Sequence, residues 1–213
     1  MQVLLIGANG KTGRFVVEYL SKHPGHRVRA MVRDKIQAPE LEALGAEVVE
    51  GDLEKDFGHA YEGIDAVIFA AGSGSKTGSD KTELVDRLGA IRSIDEAIKQ
   101  DTKRYIMLSS MGADEPQLAS DSMRYYLQAK KDADDHLSQS GLNYTIVRPG
   151  ALSDDPPAGT IEAADRIEDR SRRISRGDVA QVLIQCLDEE NTYGKTFEML
   201  SGSVPVPKAL QSI

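Results

Sequence analysis

The sequence predicts an α/β fold, a doubly wound parallel sheet with helices on both of its faces. Short apolar runs recur along the chain and alternate with longer amphipathic stretches that are typical of helices. The runs are continuously apolar, which indicates strands that are buried on both faces by crossover helices. Because no internal repeat and no second domain are evident, residues 1–213 are interpreted as a single domain.

The elements follow one another in the order that such a sheet requires. Apolar runs predict strands at 3–6, 28–32, 46–50, 66–71, 105–108, 144–147 and 196–200. Amphipathic stretches predict helices at 15–20, roughly 80–100, 122–139 and 178–187, the last capped by Ser175 or Asp178. The linker 152–160 interrupts the alternation, and 204–207 is predicted to be an extended edge or tail because it contains two prolines.

Composition narrows the classes of protein to which the chain can belong. Its 213 residues, of which 40% are hydrophobic, suffice for one substantial core. The net charge of −8 and the pI of about 5.1 argue against nucleic-acid and anionic-membrane partners. No apolar stretch reaches the ~18 residues of a membrane helix, and no signal peptide precedes the first strand. We therefore expect a cytoplasmic protein that acts on a small molecule, and predict neither an oligomeric state nor a protein partner.

Cysteine and histidine usage points away from disulfide, nucleophile and metal chemistry. Cys186, the only cysteine, excludes an internal disulfide and lies in an apolar run, which predicts a small buried core residue. His23, His26, His59 and His136 show no ligand spacing, so no metal site is predicted.

The strongest functional signal is the glycine-rich segment between the first strand and the first helix. It reads Gly7-Ala8-Asn9-Gly10-Lys11-Thr12-Gly13, with glycines three residues apart. Such a turn lets a ligand approach the backbone, and the following helix directs free N–H groups and its positive dipole end at the same place. The usual occupant is a dinucleotide pyrophosphate. The segment is therefore predicted to bind NAD(P)(H) through Gly7, Asn9, Gly10, Lys11, Thr12 and Gly13.

The end of the second strand distinguishes between the two nicotinamide dinucleotides. An acidic residue there binds a ribose 2′-hydroxyl, whereas an arginine accommodates a 2′-phosphate. Arg33 occupies this position, twenty residues after Gly13, and Lys11 and Arg14 add positive charge. These residues favour NADP(H). The adjacent Asp34 keeps NAD(H) open, and a solvated loop arginine is the alternative for Arg33.

Two later strand ends face the same predicted cleft, because open α/β sheets bind ligands at the carboxyl ends of their strands. In the first, Asp52 is a candidate acceptor for an adenine amino group, and Leu53 is a candidate packing surface for the ring. A simple Asp-capped turn explains that segment equally well. In the second, the small residues of Ala70-Ala71-Gly72 would allow the backbone to approach the cofactor ribose.

Candidate catalytic residues follow the fifth strand. Ser109 and Ser110 end that strand, and Tyr126 and Lys130 come sixteen and twenty residues after Ser110. Residues four apart lie on one face of a helix, so an ammonium can sit beside the phenol and favour its phenolate. Such a phenol can exchange a proton with a carbonyl or alcohol oxygen while hydride moves to or from nicotinamide, and a serine hydroxyl can hold that oxygen. The plainer alternative is a packed tyrosine and a surface lysine.

Together these motifs resemble the short-chain dehydrogenase/reductase superfamily, and most closely its small atypical members with an NAD(P)H-binding, NmrA-like domain. The resemblance covers nearly the whole chain. It rests on the glycine turn, Val32-Arg33-Asp34, Gly51-Asp52-Leu53, Ala70-Ala71-Gly72, Ser109-Ser110, Tyr126-x-x-x-Lys130, Thr145-Ile146-Val147-Arg148-Pro149-Gly150, Ile174-Ser175-Arg176-Gly177-Asp178-Val179-Ala180 and Gly194-Lys195-Thr196-Phe197.

The resemblance implies a Rossmann-type fold and a set of site residues. Ser110, Tyr126 and Lys130 would be the catalytic set, and Arg148 would lie beside the nicotinamide. Asp86 resembles a position near the active site where family members often carry Asn or Asp, although the asparagine of the better-known catalytic tetrad is not evident. The implied cofactor contacts beyond the fifth strand are Ser109, Lys130, Pro149 and Gly150.

Residues 151–176 follow the sixth strand and are predicted to form a short insert on the substrate side. One interpretation is an anion-recognising lid, but a solvated segment of mixed charge is favoured because mixed charge is normal on surfaces. The insert is far shorter than the cap that a nucleotide-sugar enzyme usually builds, which argues against a large sugar-nucleotide substrate. The polar loop 73–80 is interpreted either as a cover over the cofactor or as a plain surface loop. The arginines of the insert are Arg166, Arg170, Arg172, Arg173 and Arg176.

These observations predict an NADP(H)-dependent reductase of a small carbonyl, quinone or similar acceptor. Tyr126 would donate the proton, Lys130 would tune it, and Ser110 would orient the acceptor. A dinucleotide-binding redox sensor that acts through a protein partner is the alternative from another class. An epimerase or dehydratase is a second enzymatic alternative, which the short insert disfavours.

Overall fold

The structure, a computed structural model, describes residues 1–74 and 78–213 of the chain. Its strands are, in chain order, β1 (Gln2–Ile6), β2 (Arg27–Val32), β3 (Glu47–Glu50), β4 (Ala66–Phe69), β5 (Arg104–Leu108), β6 (Tyr144–Pro149), β7 (Leu152–Ser153), β8 (Thr160–Ala164), β9 (Ile174–Ser175), β10 (Lys195–Ser201) and β11 (Val204–Pro205). Its helices are α1 (Lys11–Ser21), α2 (Ala38–Ala43), α3 (Ser79–Lys81), α4 (Leu88–Lys99), α5 (Asp121–Ser138), α6 (Arg176–Gln185) and α7 (Val206–Leu210). A π-helical turn, Thr82–Arg87, joins α3 to α4.

Nine of the described strands form one sheet with the order β3-β2-β1-β4-β5-β6-β10-β8-β11. The neighbours from β3 to β10 are parallel, whereas β8 pairs antiparallel with β10 and β11 at one edge. The order reverses between β1 and β4, and at such a point the carboxyl ends of the strands border a ligand-binding crevice. The predicted doubly wound α/β fold is confirmed.

Alternate residues of each strand enter separate cores on the two faces of the sheet. Val3 and Leu5 of β1 lie in a core shared with α1 and α6. Leu4 and Ile6 lie in a core shared with α4 and α5. Because both faces of β1 are buried, its sequence is a continuous apolar run rather than an alternating one.

The predicted elements are confirmed for most of the chain, with shifted ends. β4 ends at Phe69, two residues before the predicted end. α6 begins at Arg176, and the Ser175 hydroxyl caps it by accepting from the Asp178 amide at 3.0 Å. The extended stretch predicted at 204–207 is wrong in its second half, because Val206 begins α7. The proline that follows lies in the first turn, where a helix needs no amide donor.

The predicted insert 151–176 contains more regular structure than the linker interpretation of 152–160 allowed. Its first and last strands, β7 and β9, form a two-stranded parallel sheet. β8 begins at Thr160 and pairs antiparallel with β10. The insert therefore contributes a strand, β8, to the main sheet and is not only a loop.

Two expectations from composition can be compared with the structure. Cys186 is fully buried at the end of α6, and burial raises the pKa of its thiol to about 12, which confirms the predicted core position. Among the described residues, no helix combines the length and the apolar character needed to cross a membrane.

Candidate active site

The glycine turn connects β1 to α1, and two of its glycines have no room for a side chain. Gly7 has a φ of +90°, and a Cβ there would lie 2.5 Å from the amide nitrogen of Ala71. A Cβ at Gly13 would collide with the Gly7 carbonyl oxygen, to which the Gly10 amide donates a hydrogen bond at 3.0 Å. The turn therefore lies directly against the end of β4, as a close backbone approach requires.

The helix that follows the turn presents an uncapped N-terminus. α1 begins at Lys11, and no side chain among the described residues caps it. Gly10 is exposed at the N-cap position, whereas Thr12 and Gly13 are buried in the first turn. Free N–H groups and the positive dipole end of this eleven-residue helix attract an anion, so the turn can hold a phosphate through its backbone.

Two polar side chains of the turn, Asn9 and Lys11, have partners within the protein. Lys11 Nζ forms an ion pair with Asp154 at 2.6 Å, and Asp154 also contacts Arg176 at 2.5 Å. Asn9 Oδ1 accepts a hydrogen bond from Arg14 at 2.5 Å. Because the side chains of Lys11 and Asp154 are largely exposed, separating them to contact a phosphate costs little free energy.

Arg33 and Asp34, the two candidates for contact with the cofactor ribose, differ in whether their side chains already have a partner in the protein. Arg33 is exposed, and its guanidinium forms no hydrogen bond or ion pair with any residue in 1–74 or 78–213. Asp34 caps a short turn, because its Oδ1 accepts from the Ile36 amide at 2.9 Å. One carboxylate oxygen of Asp34 is therefore occupied, whereas the whole guanidinium of Arg33 is open to a ligand.

The segment after β3 forms a capped turn. Asp52 Oδ1 accepts from the Glu54 amide at 3.0 Å, and Oδ2 lies 3.7 Å from Lys55 Nζ. Leu53 is 6% exposed and packs into the core shared with α4. The adenine-binding roles of Asp52 and Leu53 stay predictions.

The end of β4 borders a buried carboxylate. Ala70 and Ala71 are half-buried, and a Cβ at Gly72 would lie 3.3 Å from Asp86 Oδ1. Asp86 is fully buried in the π-helical turn, and its Oδ2 accepts from the Ser73 amide at 2.9 Å. Its Oδ1 has no hydrogen-bond partner among the described residues. Residues 75–77 of the predicted covering loop lie outside the described residues.

Tyr126 and Lys130 lie one turn apart on the face of α5 that meets the end of β5. Lys130 is 3% exposed, and its Nζ donates to the Leu108 carbonyl at 3.0 Å and lies 3.7 Å from Asp86 Oδ1. Burial acts to lower the pKa of Lys130, but electrostatic interactions with Tyr126, Asp86 and Asp134 outweigh burial and raise it, which favours the charged ammonium. The hydroxyl of the half-buried Tyr126 forms no hydrogen bond with any described residue.

The two serines after β5 have different environments. Ser109 is 4% exposed, and its Oγ donates to Asp134 Oδ2 at 2.8 Å. Arg148 of β6 donates to the same oxygen through Nε at 3.0 Å and Nη2 at 2.9 Å. Ser110 Oγ has one long contact among the described residues, to the Met111 carbonyl at 3.4 Å. The Ser110 hydroxyl is therefore the more available to a ligand.

Asp134 is a site residue that sequence reasoning missed. It is 2% exposed, and burial raises its pKa while Arg148, Ser109 and Lys130 act to lower it. The available signal was spacing, because Tyr126, Lys130 and Asp134 recur every four residues and share one helix face. An aspartate in a polar helix is usually a surface residue, so the spacing alone did not distinguish it.

Pro149 and Gly150 connect the ends of three strands. The Met111 amide donates to the Pro149 carbonyl at 3.0 Å, and the Gly150 amide donates to the Met199 carbonyl at 3.1 Å. A Cβ at Gly150 would collide with the Leu200 side chain. The backbone after β6 is therefore fixed between the loop after β5 and the end of β10.

Each of the five arginines in the predicted insert already has a partner within the protein. The contacts are Arg166 with Glu115 at 2.9 Å, Arg170 with Glu198 at 2.8 Å, Arg176 with Asp154 at 2.5 Å, Arg172 with Glu162, and Arg173 with the Leu152 carbonyl. This arrangement fits the mixed-charge interpretation and gives the anion-recognising lid no unengaged guanidinium.

The structure brings together three ligand-capable residues that the sequence spacing did not connect. His26 Nε2 lies 2.9 Å from Asp188 Oδ2, and the rings of His23 and His26 stack with centroids 4.4 Å apart. The rings are nearly parallel, at 9°, so their in-plane lone pairs do not converge on one point. These residues lie at the amino-terminal end of β2, at the opposite end of the strands from the glycine turn.

Comparisons with known proteins show what the chain is similar to. A family model described as NAD(P)H-binding matches residues 7–190. The chain is 44% identical to "Uncharacterized sugar epimerase YhfK" of Bacillus subtilis (strain 168), over 100% of both chains. It is 29% identical to sanguinarine reductase of Eschscholzia californica, over 96% of this chain and 90% of that protein. Among solved structures, a putative NAD-dependent epimerase/dehydratase from Bacillus halodurans is 47% identical, with a TM-score of 0.97 over 100% of both chains.

Proposed function

The chain belongs to the NAD(P)H-binding family, and from this premise we propose that it is an NADP(H)-dependent reductase of a small carbonyl or quinone-type acceptor. One observation carries the proposal: the buried, charged Lys130 lies one turn from a Tyr126 hydroxyl that has no hydrogen-bond partner among the described residues. Reduction of a carbonyl by hydride needs a proton donor beside the accepting oxygen, and this pair can supply one.

The residues of the cleft fit a nicotinamide dinucleotide. The uncapped N-terminus of α1 and the close-packed Gly7 would hold the pyrophosphate, and Lys130 would hold a ribose. Arg33 would bind a 2′-phosphate, since its guanidinium is exposed and unengaged, while Asp34 caps a turn. We therefore favour NADP(H), with NAD(H) as the alternative. When bound in reduced form, the cofactor supplies the hydride.

Three side chains would act on the acceptor oxygen. Ser110 donates a hydrogen bond that holds the oxygen, and Tyr126 transfers its hydroxyl proton to it as hydride reaches the carbon. The phenolate left on Tyr126 is stabilised by the adjacent Lys130 ammonium, which the Leu108 carbonyl holds at 3.0 Å. Solvent then returns a proton to Tyr126.

The names of the relatives support oxidoreductase chemistry and introduce one alternative. Sanguinarine reductase is named for a reduction, whereas the Bacillus subtilis relative carries the name of a sugar epimerase. An epimerase would return its hydride to the same substrate and leave the cofactor unchanged overall. We favour the reductase because the insert 151–176 is short and its arginines are engaged by the protein itself.

The test is NADPH consumption, followed at 340 nm, with a panel of quinones, aldehydes and ketones. Tyr126→Phe removes the proton donor and keeps the ring, so turnover should fall by about 10²–10⁴-fold while NADPH affinity stays the same. Tyr125→Phe is the matched control, because Tyr125 is the exposed neighbour and bonds Glu83 at 2.9 Å outside the cleft.

Three outcomes would contradict the proposal in different ways. Full turnover by Tyr126→Phe would mean that the proton comes from elsewhere, such as water. Tight NADPH binding without turnover of any acceptor would favour the redox sensor. An isomerised sugar product without net change in the cofactor would favour the epimerase.

A further inference from the structure

Asp134 extends by one further turn the face of α5 that carries Tyr126 and Lys130. Lys130 holds the last residue of β5, through its 3.0 Å hydrogen bond to the Leu108 carbonyl. Asp134 holds the next residue, because the Ser109 hydroxyl donates to it at 2.8 Å. Two side chains four residues apart on one helix therefore fix two consecutive residues at the end of one strand.

Asp134 also holds the end of β6. Arg148 donates to Asp134 Oδ2 through Nε at 3.0 Å and through Nη2 at 2.9 Å, directly before Pro149 in the chain. All three hydrogen bonds converge on one oxygen, and the other, Oδ1, is buried without a hydrogen-bond partner among the described residues. Charge-assisted hydrogen bonds are strong, and the side chain of Arg148, which is 14% exposed, lies 4.0 Å from Asp114 but only 2.9 Å from Asp134. Asp134 is therefore the nearer counter-ion of Arg148 and links α5 to the end of β6.

The contact with Asp134 decides what the Ser109 hydroxyl can offer a ligand. An ionised carboxylate only accepts, so Ser109 must donate its single hydroxyl proton to it. Ser109 Oγ then presents lone pairs alone. Ser110, whose nearest described acceptor is the Met111 carbonyl at 3.4 Å, keeps a proton to donate. A carbonyl oxygen needs hydrogen-bond donors, so it is matched by Ser110 and not by Ser109.

We propose that Asp134 is a positioning residue that fixes the carboxyl ends of β5 and β6. Because it accepts the hydrogen bond of the Ser109 hydroxyl, Ser110 is left as the serine that binds the acceptor substrate. This inference rests on the proposed function, because it assigns roles to residues at the end of that site where the acceptor substrate would bind. It distinguishes Asp134 from an ordinary structural ion pair, whose loss would change stability alone.

The first test compares Asp134→Asn with Asp135→Asn. Asp135 is the neighbouring residue of α5 and pairs with Lys131 at 2.7 Å, away from the strand ends. Small displacements of reacting groups lower rates by up to about 10²-fold, so kcat of Asp134→Asn should fall about 10–100-fold. Its NADPH affinity should stay within about threefold, because the phosphate-binding turn is untouched. Asp135→Asn should match the unmodified protein, and an unchanged kcat in folded Asp134→Asn would overturn the proposal.

The second test is a double-mutant cycle with Ser109→Ala. If Asp134 acts through Ser109, Asp134→Asn lowers kcat less in the Ser109→Ala background than in the unmodified protein. Equal effects in both backgrounds would remove Ser109 from the argument and overturn the division of roles between the two serines.

A third comparison keeps the inference testable if Asp134→Asn does not fold. Asp134→Asn/Arg148→Gln removes both members of the ion pair, which should recover part of the thermal stability that Asp134→Asn loses. The positioning role predicts that kcat remains low in this variant, and recovery of kcat together with stability would indicate a merely structural pair.

The fluorescence emission of bound NADPH requires no turnover, so it tests this inference independently of the proposed function. The emission of bound NADPH reports on the surroundings of its nicotinamide, so it should change in Asp134→Asn and not in Asp135→Asn. If the unmodified protein reduces no acceptor, such a change would support the positioning role and refute only the reductase. Identical emission in both variants would overturn the positioning role.

Discussion

Arg33→Ala tests the cofactor preference most directly, and its magnitude follows from the surroundings of the guanidinium. Arg33 is exposed, and no described residue forms a hydrogen bond or ion pair with it, so no protein contact must break before a phosphate binds. A hydrogen bond to a charged group contributes about 1.5–3 kcal/mol, and solvent exposure places Arg33 at the lower end. We expect a loss of about 1.5–2 kcal/mol, or about 10–30-fold in NADPH affinity.

The assay is calorimetric titration of NADPH and NADH into the unmodified protein, Arg33→Ala and Lys35→Ala. Lys35 is the matched control, because it is an exposed cation two residues away that lies 3.5 Å from Glu50. NADH affinity should change less than about twofold in either variant, since NADH carries no 2′-phosphate. The NADPH preference should also shrink as salt is added. Equal affinities of the unmodified protein for NADPH and NADH would refute the reasoning.

Three further predictions address the turn, the buried lysine and the buried thiol. Gly10 is exposed with a φ of −71°, and a Cβ there would lie 3.2 Å from the Gly7 carbonyl oxygen, so Gly10→Val should lower Tm by about 2–4 °C yet abolish NADPH binding in calorimetry. Normal NADPH binding by this variant would locate the phosphate site elsewhere. The pKa of Lys130 is raised in the folded protein, so its stabilising contribution is present below the unfolded lysine pKa of about 10.4 and is lost as pH rises through the folded pKa. In denaturant titrations, the free energy of unfolding should therefore fall more steeply above that pH for the unmodified protein than for Lys130→Met, and parallel curves would contradict the raised pKa. Burial raises the pKa of Cys186 to about 12, so an aromatic disulfide reagent at neutral pH should label it only after unfolding, and rapid labelling of the native protein would contradict this burial.

Local patterns predicted the parallel part of the sheet because its strands are buried on both faces. β1 and β4 are therefore continuous apolar runs with clear ends. β8 has no such run, because it lies near the edge of the sheet and only Ile161 among its residues is fully buried. The sequence therefore predicts no strand there, and β8 lies within the predicted insert. The second half of 204–207 was predicted wrongly because proline at the start of a helix resembles proline in an extended tail.

In the candidate site too, sequence predicts the features that depend on local contacts and not those that depend on distant contacts. The glycine turn and the Tyr126–Lys130 spacing are local signals, so sequence alone predicts that they belong to the site. The role of Asp134 depends on Ser109 and Arg148, which reach it from two different strands. Such contacts arise only when the sheet and α5 are assembled, and neither strand end carries a pattern that predicts them.

The packing of α1 against α6 has a consequence for synthesis on the ribosome. The apolar face of α1, which includes Val17, shares its core with Leu183 of α6, and a Cβ at Gly177 would lie 3.1 Å from the Tyr19 hydroxyl. The helix that follows the phosphate turn is thus completed by a segment more than 150 residues later in the chain. A nascent chain halted before residue 176 leaves part of that apolar face exposed to water. The helix after the phosphate turn therefore gains its full packing only once α6 has emerged from the ribosome.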